Sequence, residues 1–297
     1  MIIKARAYGK INWLLEVGHL RSDNYHELST LFQTIDLYDE LSFSLAESIS
    51  LKIVDQNFSA NLPIDKSNLV IKAANLLASC LSRPVGVNIE LKKSIPLGGG
   101  LGGGSADAAI TLLALNKLWQ AGLSQSELIE LAARLGSDVP FFLFGGTAWG
   151  KGRGTEITTT PDIIAPYLLL VNPRIEISTY SVYLEFDCLT NYGQMSTLAT
   201  YFFTSTETLF AKIKNSLSPM AKAICPTVAI VETKLAELGA EAVLMSGSGA
   251  TVWAHFPSAS SQENAYQVLA SSDWLVIKSR TVSHQEYQQS LLQIIEQ

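Results

Sequence analysis

The sequence predicts an α+β protein in two parts, and three observations support this prediction. Residues 1–60 alternate apolar and polar side chains in the manner of β-strands, whereas helical and strand-like segments are mixed over the rest of the chain. Helices and strands that do not alternate strictly are typical of α+β folds. A loop-rich stretch near residues 145–154 separates the two halves. We therefore place one domain at residues 1–155 and a second at residues 156–297.

Local signals predict the individual elements in order. In the first 60 residues, alternation is clearest at residues 12–17 and 41–45, with turn residues between them at residues 22–24. Ser124 and Glu127 form the pattern of a capping box at a helix start. The predicted helices are residues 68–81, 106–119, 124–135 and 227–238, the last closed by Gly239, and the later strands are residues 85–91, 167–171, 242–245 and 251–255.

Composition narrows the class of protein. The chain has 297 residues, 47% of them hydrophobic, and a net charge of −6, which argues against a nucleic-acid partner. Its longest apolar run, residues 163–171, contains Pro166 and is too short to span a bilayer. Three cysteines without a Cys-x-x-Cys pair are typical of a reducing compartment and argue against structural zinc. Since the first residues show strand-like alternation and no targeting pattern, we expect a cytoplasmic protein.

A glycine-rich loop is the most distinctive segment. Residues 98–104 hold six glycines and lead into the predicted helix at residues 106–119. Glycine has no Cβ, so the backbone N–H groups of such a loop can approach a ligand closely. A helix N-terminus adds unpaired N–H donors and the positive end of the helix dipole. The segment predicts a polyphosphate site with Ser105 as the helix N-cap; a flexible linker or a tight turn is the alternative.

Two common phosphate loops do not fit this sequence. A Walker A loop ends in Gly-Lys-Ser/Thr, whereas Gly103, Gly104 and Ser105 follow one another without a lysine. A dinucleotide-binding loop requires an acidic residue about 20 positions after its glycines. Residues 118–124 contain none. Both of these loop types are therefore excluded, and the glycine-rich segment belongs to a different class of phosphate-binding protein.

Six segments, in the right order, resemble the GHMP kinases, the superfamily of galactokinase and of homoserine, mevalonate and phosphomevalonate kinases. They are residues 7–17, 21–28, 136–142 and 152–156, the string Pro-Leu-Gly-Gly-Gly-Leu-Gly-Gly-Gly-Ser-Ala at residues 96–106, and Ser-Gly-Ser-Gly-Ala-Thr at residues 246–251. The Tyr-His-Glu-Leu string at residues 25–28 is similar to the branch that phosphorylates 4-diphosphocytidyl-2-C-methyl-D-erythritol. The resemblance covers nearly the whole chain, and only residues 185–225 carry nothing diagnostic.

The resemblance implies both a fold and an activity. The fold is a two-domain GHMP kinase fold, with an N-terminal domain like domain 2 of ribosomal protein S5 and a ferredoxin-like α/β-plait C-terminal domain. The activity is phosphorylation of the 2-hydroxyl group of that cytidyl compound with ATP and Mg²⁺, in the non-mevalonate route to isopentenyl diphosphate. We expect this small molecule as the partner, no nucleic acid, no membrane, and a monomer or weak homodimer.

Lys10 and Asp138 are the catalytic residues that the resemblance implies. On its own, Asp138 could cap the turn at Val139 and Pro140, and Lys10 could be a solvated charge. A carboxylate beside a proline and three phenylalanines is, however, partly desolvated, as functional bases often are. In the superfamily the aspartate takes the proton of the acceptor hydroxyl group. The lysine orients that carboxylate and stabilises charge as the γ-phosphoryl group moves.

The resemblance also implies the two binding sites. The nucleotide site comprises Pro96, Leu97, Gly98, Gly99, Gly100, Leu101, Gly102, Gly103, Gly104, Ser105 and Ala106. Ser105 could offer its hydroxyl group to the metal, but an N-cap explains it equally well, so no metal ligand is assigned. The substrate-binding residues are Tyr25 and Tyr183, which sandwich the cytosine ring, His26, which reads its polar edge, Asn12 and Thr179, which bond the methylerythritol hydroxyl groups, and Lys93, which neutralises the diphosphate.

Two other functions stay open from the sequence. One keeps the fold and changes the acceptor to homoserine, mevalonate or a sugar; the string at residues 25–28 argues against it. The other is a non-catalytic sensor of nucleotide or sugar, which the presence of both Lys10 and Asp138 disfavours. Three residues depart from the pattern of the branch: Asn24 replaces a glycine, Trp13 replaces a leucine, and Arg153 adds a charge. Asparagine tolerates positive φ, so we expect the turn at Asn24 to survive.

Overall fold

The computed structural model describes residues 1–55, 62–189 and 206–295. The strands are β1 (Ile2–Leu20), β2 (His26–Leu45), β3 (Ile49–Asp55), β4 (Val87–Lys92), β5 (Thr147–Lys151), β6 (Glu156–Thr159), β7 (Leu168–Asn172), β8 (Lys214–Asn215), β9 (Ala242–Met245), β10 (Val252–His255), β11 (Leu275–Ser279) and β12 (Leu292–Ile295). The helices are α1 (Leu69–Ala78), α2 (Gly103–Leu118), α3 (Gln125–Leu135), α4 (Thr179–Leu189), α5 (Thr206–Phe210), α6 (Ser218–Ile224), α7 (Thr227–Glu237), α8 (Ala259–Leu269) and α9 (His284–Ser290), with a 3₁₀ helix at Val139–Leu143.

The larger sheet is built mainly from the first half of the chain. Its strands run in the order β12-β1-β2-β4-β3, with β5 beside β2, β6 beside β5, and β8 beside β1. Helices α1, α2 and α3 pack together, and α2 also contacts β1 and β2. Ten residues of α2 are buried, which fits its Ala- and Leu-rich sequence because a helix apolar on most sides requires cover on most sides. The sheet and the neighbouring helices therefore hold α2, the helix that follows the glycine loop, in place.

The smaller sheet has the order of a ferredoxin-like plait. Its strands run β11-β7-β10-β9, and every neighbouring pair is antiparallel. Counted along the chain as first to fourth strand, this is the order fourth, first, third, second of a split β-α-β unit. Helices α7 and α8 pack on this sheet. The predicted α+β class with a ferredoxin-like second part is confirmed.

Strand β7 is buried on both faces and joins the two parts of the molecule. Leu169 and Val171 belong to the core under the helices of the smaller sheet. Leu168 and Leu170 point the other way, into a cluster with Trp13 and Trp253. The two indole rings meet edge to face at 4.8 Å between centroids. The second apolar face explains why this strand lacks the alternation of a half-exposed strand.

The end of the chain returns to the first sheet. Strand β12 pairs antiparallel with β1, where Ile2 lies opposite Ile295. The Tyr287 hydroxyl of α9 donates to the Phe142 carbonyl oxygen at 2.6 Å, beneath the 3₁₀ helix. The division at residues 155 and 156 stays a prediction; the last strand and α9 pack with the elements of residues 1–155. No described helix is both long and apolar enough to cross a bilayer.

Most predicted elements are confirmed, and one helix start is wrong. Helix α3 begins after Ser124 with the predicted capping box, and α7 is followed by Gly239 at a φ of +87°. Asn24 has a φ of +62°, so the turn tolerates this replacement. Helix α2, however, begins at Gly103, and its N-cap is Gly102 at a φ of +71° without a side-chain cap. Ser105 is therefore not the N-cap, because Gly102 can enter the left-handed conformation and starts the helix three residues earlier than predicted.

Candidate active site

A cavity of about 700 Å³ lies beside the glycine loop, between elements of the two parts of the chain. Ala106 is fully buried in α2, and its N–H donates to the Gly102 carbonyl oxygen at 2.9 Å, so it does not line the cavity. All the other predicted site residues line it: Lys10, Asn12, Tyr25, His26, Lys93, Pro96, Leu97, Gly98, Gly99, Gly100, Leu101, Gly102, Gly103, Gly104, Ser105, Asp138, Thr179 and Tyr183. Folding thus brings together residues from distant parts of the sequence.

The glycine loop is attached to both parts of the molecule. The Lys10 N–H of β1 donates to the Leu101 carbonyl oxygen at 2.9 Å. From the smaller sheet's side, the Ser246 hydroxyl donates to the Gly100 carbonyl oxygen at 2.9 Å. A Cβ on Gly100, whose φ is +74°, would lie 2.1 Å from the Ser246 carbonyl oxygen. Only glycine allows this approach, so the loop and the residues 246–249 turn form one wall of the cavity.

Lys10 and Asp138 meet inside the cavity. The Lys10 ammonium lies 3.6 Å from an Asp138 carboxylate oxygen, and the lysine side chain is 3% exposed while the aspartate is 35% exposed. Burial lowers the pKa of Lys10 below its usual value, and the Asp138 charge opposes this shift. The Asp138 side chain makes no capping bond to the 3₁₀ helix that follows it. The capping role that remained open for Asp138 is therefore wrong, and its carboxylate is available to the cavity.

The Asn12 side chain holds the Lys10 ammonium through a hydrogen bond. Its Oδ1 accepts from Lys10 Nζ at 2.8 Å and from the Gly247 N–H at 3.0 Å. Its Nδ2 donates to Thr30 Oγ1 at 2.8 Å. These bonds connect β1, β2 and the residues 246–249 turn at a single buried amide. Asn12 thus positions Lys10; its predicted contact with substrate hydroxyl groups stays a prediction.

Lys93 is held in an ion-pair cluster beneath the glycine loop. Its ammonium contacts Asp39 and lies 2.8 Å from an Asp107 carboxylate oxygen, with all three side chains buried. A Cβ on Gly103 would lie 3.2 Å from Lys93 Nζ. Burial by itself would lower the pKa of Lys93, but the two carboxylates outweigh burial and raise the pKa. Two acidic side chains therefore already contact this ammonium, and the predicted role of Lys93 in neutralising the diphosphate stays a prediction.

Asp107 is expected to make the protein less stable as pH rises. Burial raises its pKa to about 7, with Lys93 opposing and Asp39 adding to the shift. Its Oδ1 has no hydrogen-bond partner among the described residues. The unfolded chain releases this proton near pH 4 and the folded protein near pH 7, so ionisation between them costs folding free energy, and the cost is complete above about pH 7.

The Asp107→Asn variant tests this expectation. From about pH 5 to about pH 8 we expect the unfolding free energy of the parent protein to fall by roughly 1–4 kcal/mol relative to that of the variant, measured by urea unfolding. Asp273→Asn, at an exposed position, is the matched control and should follow the parent protein. Parallel pH profiles for the Asp107 variant and the parent would contradict the expectation.

Aromatic side chains from both halves of the chain also line the cavity. Tyr25 is 48% exposed, and Tyr183 stacks on His26 with ring centroids 5.4 Å apart. His26 Nδ1 lies 3.0 Å from the Gly18 carbonyl oxygen, and its Nε2 lies 3.1 Å from an Asp187 carboxylate oxygen. Burial raises the pKa of Tyr183, with Asp138 adding to the shift, so its phenol stays neutral. The predicted aromatic residues therefore all line this cavity, and two of them stack on each other.

Sequence reasoning missed several lining residues, of which Asp187 is the most informative. It lies four residues after Tyr183 on α4, so both side chains share a helix face. That spacing was the signal that could have found it. Thr179, at the start of the same helix, places its Oγ1 2.8 Å from Ser248 Oγ. The other missed residues with polar or aromatic side chains are Asn24, Thr30, Phe32, Ser137, Arg153, Tyr180 and Ser248.

Comparison with known proteins identifies the class of this site. The family model for the GHMP kinases N terminal domain matches residues 68–146, which include the glycine loop and Asp138. With the two-part fold described above, this match defines a GHMP kinase, a class of ATP-dependent enzymes that phosphorylate small molecules.

Relatives that align along most of the chain identify the branch. The 4-diphosphocytidyl-2-C-methyl-D-erythritol kinase of Pelotomaculum thermopropionicum is 42% identical over 91% of this chain and 93% of its own length. That of Syntrophus aciditrophicus is 38% identical over 95% of this chain and all of its own. A crystal structure of 4-(cytidine 5'-diphospho)-2C-methyl-D-erythritol kinase is 30% identical and superposes on 94% of this chain and all of its own with a TM-score of 0.77. The chain belongs to the 4-diphosphocytidyl-2-C-methyl-D-erythritol kinase family.

Proposed function

We propose that this protein transfers the γ-phosphoryl group of ATP to the 2-hydroxyl group of 4-diphosphocytidyl-2-C-methyl-D-erythritol. The observation that carries the proposal is the Lys10–Asp138 pair at 3.6 Å beside the glycine loop, in one cavity with Tyr25, His26 and Tyr183. Family membership supports the choice of acceptor. The 2-phosphate would then continue along the non-mevalonate route to isopentenyl diphosphate.

The reaction needs alignment and charge stabilisation more than covalent help from the protein. Phosphoryl transfer passes through a loose transition state, with charge spread over the moving group. In the proposed complex, the triphosphate lies on the glycine loop and at the N-terminus of α2. The acceptor hydroxyl group faces Asp138, which takes its proton. The Lys10 ammonium, held by Asn12, then lies where it stabilises both the carboxylate and the charge on the phosphoryl group.

Mg²⁺ is part of the proposal, and the residues present fit it. Mg²⁺ prefers oxygen ligands and is commonly held by substrate phosphates, water and one or two protein groups. Ser105 and Asp138 supply two oxygen-bearing side chains on the same cavity. Among the described residues no group of three or more His, Cys, Asp or Glu side chains is arranged to hold a metal. When bound, Mg²⁺ supplies charge neutralisation on the phosphates, with the Ser105 hydroxyl group as the candidate protein ligand.

The Tyr25–His26–Tyr183 end would hold the cytosine ring. A base stacked on an aromatic side chain gains roughly 1–3 kcal/mol per contact. His26 and Asp187 place polar atoms at the edge of the same aromatic cluster, where a ring with hydrogen-bonding groups on its edge is recognised. This end is therefore suited to a pyrimidine with an exocyclic amino group, which is what distinguishes the cytidyl acceptor from homoserine, mevalonate or galactose.

Tyr25→Ala is expected to raise KM for the cytidyl acceptor roughly 10-fold, the cost of about one stacked base. KM for ATP should not change, because ATP is proposed to bind the glycine loop and not Tyr25. Tyr25→Phe keeps the ring and serves as the control, with KM within about twofold of the parent enzyme. Steady-state kinetics with each substrate varied in turn gives both constants. A rise in KM for ATP alone would mean that the two sites are exchanged.

ADP release from purified protein with Mg·ATP tests the function itself. Four acceptors are compared: 4-diphosphocytidyl-2-C-methyl-D-erythritol, homoserine, mevalonate and galactose. Release with the cytidyl compound alone is the expected result. ADP release with another acceptor would support a kinase but overturn the proposed acceptor. No ADP release with any of the four acceptors would favour a non-catalytic sensor. A cytoplasmic location, a monomer or weak homodimer, and the lack of a nucleic-acid partner belong to the same proposal.

A further inference from the structure

The turn between β5 and β6, residues 152–155, contacts two segments that line the cavity. The Leu28 N–H donates to the Gly152 carbonyl oxygen at 2.6 Å, which ties the start of the turn to the strand that follows the aromatic segment. At the other side of the turn, a Cβ on Gly154 would lie 3.7 Å from the carbonyl oxygen of Ser137, the neighbour of Asp138. The turn therefore joins the segment that follows Tyr25 and His26 to the neighbour of Asp138, and one residue lies between its two glycines.

That residue is Arg153, and two contacts fix its guanidinium group. Its Cζ lies 4.9 Å from the centroid of the Tyr25 ring. Its Nη2 donates to the Ala133 carbonyl oxygen of α3 at 2.5 Å. A guanidinium group has five N–H donors in a rigid planar fork, so one anchored nitrogen and one stacked face leave other donors in a fixed orientation. Arg153 lines the cavity, so a ligand can reach it.

The charge of Arg153 is the one cavity cation that the described residues do not neutralise. Three cationic side chains line the cavity in the described part of the chain: Lys10, Lys93 and Arg153. Lys10 is paired with Asp138, and Lys93 contacts two carboxylates. No described carboxylate lies within 4.0 Å of the Arg153 guanidinium nitrogens. An anionic ligand group would complete this site.

We propose that Arg153 binds the diphosphate group of the cytidyl acceptor. The inference rests on the proposed function, because that substrate brings the diphosphate. A diphosphate joins the cytidine to the methylerythritol, so a substrate whose base stacks on Tyr25 and whose hydroxyl group faces Asp138 must pass it between these two residues. Arg153 lies there, and arginine matches phosphate oxygens with paired N–H donors. The sequence suggested Lys93 for this role, but two acidic side chains already contact the Lys93 ammonium.

Binding of cytidine, CMP and CDP without ATP separates this role from support of the Tyr25 ring. Isothermal titration calorimetry with the parent protein should show CDP bound more tightly than cytidine. Arg153→Gln should weaken CDP binding roughly 10–100-fold, the range for a charged hydrogen bond, and change cytidine binding less than about twofold. Arg153→Lys should recover part of the CDP affinity. Lys151→Gln removes the same charge two residues away, outside the cavity, and should match the parent protein.

Each other outcome overturns a stated claim. Equal losses for cytidine, CMP and CDP in Arg153→Gln would mean that Arg153 supports only the aromatic platform, and the inference would be wrong. Unchanged CDP binding in that variant would also overturn it. A parent protein that binds neither cytidine nor CDP would instead overturn the proposed acceptor. Thermal unfolding measures whether each variant is folded. If Arg153→Gln is not folded, the CDP and cytidine affinities of Arg153→Lys serve as the test instead.

Discussion

Replacing Asp138 by asparagine is expected to lower kcat roughly 10²–10⁴-fold, the usual contribution of a positioned general base. Asparagine keeps the size of the side chain and removes the atom that takes the proton. In the proposed complex ATP binds mainly through the glycine loop and the N-terminus of α2, so its dissociation constant should stay within about twofold of the parent value. Single-turnover phosphorylation and ATP titration measure the two quantities separately.

A double variant tests whether Asp138 and Lys10 act together in catalysis. Lys10 lies 3.6 Å from Asp138, so the two side chains act as a unit and their effects on kcat should not add. We expect Asp138→Asn combined with Lys10→Met to be little slower than the slower of the two single variants. Turnover close to that of the parent enzyme in Asp138→Asn would remove this residue from proton transfer. Fully additive losses would mean that lysine and aspartate act independently.

Adding a side chain at Gly102 should abolish nucleotide binding while the domain stays folded. Gly102 has a φ of +71°, and a Cβ there would lie 2.8 Å from Phe142 Cζ and 3.1 Å from Lys10 Cγ. The Gly102→Val variant must shift the loop and the start of α2 away from these two side chains. This shift separates the N–H groups that are proposed to bind the phosphates, so we expect ATP affinity to fall by roughly 100-fold or more.

Gly122 offers a matched control for this variant. Its φ is +70°, but a Cβ there meets nothing within 4 Å. Gly122→Val therefore imposes the same left-handed backbone strain, of order 1–2 kcal/mol, without a clash near the cavity. We expect it to lower stability slightly and leave ATP affinity unchanged. If Gly102→Val binds ATP like the parent protein, the loop is not the nucleotide site; if Gly122→Val loses ATP equally, backbone strain explains the effect.

The phosphate loop and its helix could be predicted because their signals are local. Six glycines before an Ala- and Leu-rich segment predict a loop and a helix from neighbouring residues alone. The wrong prediction of Ser105 as the N-cap also has a local cause. Serine is a common N-cap, but Gly102 enters the left-handed conformation first and starts α2 at Gly103. Where glycine and serine compete for a helix start, propensity alone does not decide the outcome.

Residue roles that depend on charge could not be predicted in the same way. Lys93 meets Asp39, which is 54 positions away, on a buried side of the sheet. His26 contacts Asp187, which lies in the other half of the chain. No local pattern shows such a pairing, because it depends on how β2, β4 and α4 pack. The sequence shows that a lysine is present and positively charged. Whether its ammonium can bind an anionic ligand depends on the carboxylates that folding places beside it.

The sequence by itself determined the class of this protein, its α+β fold, its glycine loop and the pair of residues expected at the reacting centre. These features follow from residue types at close spacing, or from strings long enough to be specific. The tertiary structure decided which charges remain available in the cavity. It neutralises Lys93 with two carboxylates, holds Lys10 on Asn12, and places Arg153 over Tyr25 without a carboxylate partner among the described residues. Interactions between charges depend on distance and burial, and both are set only when distant segments pack together.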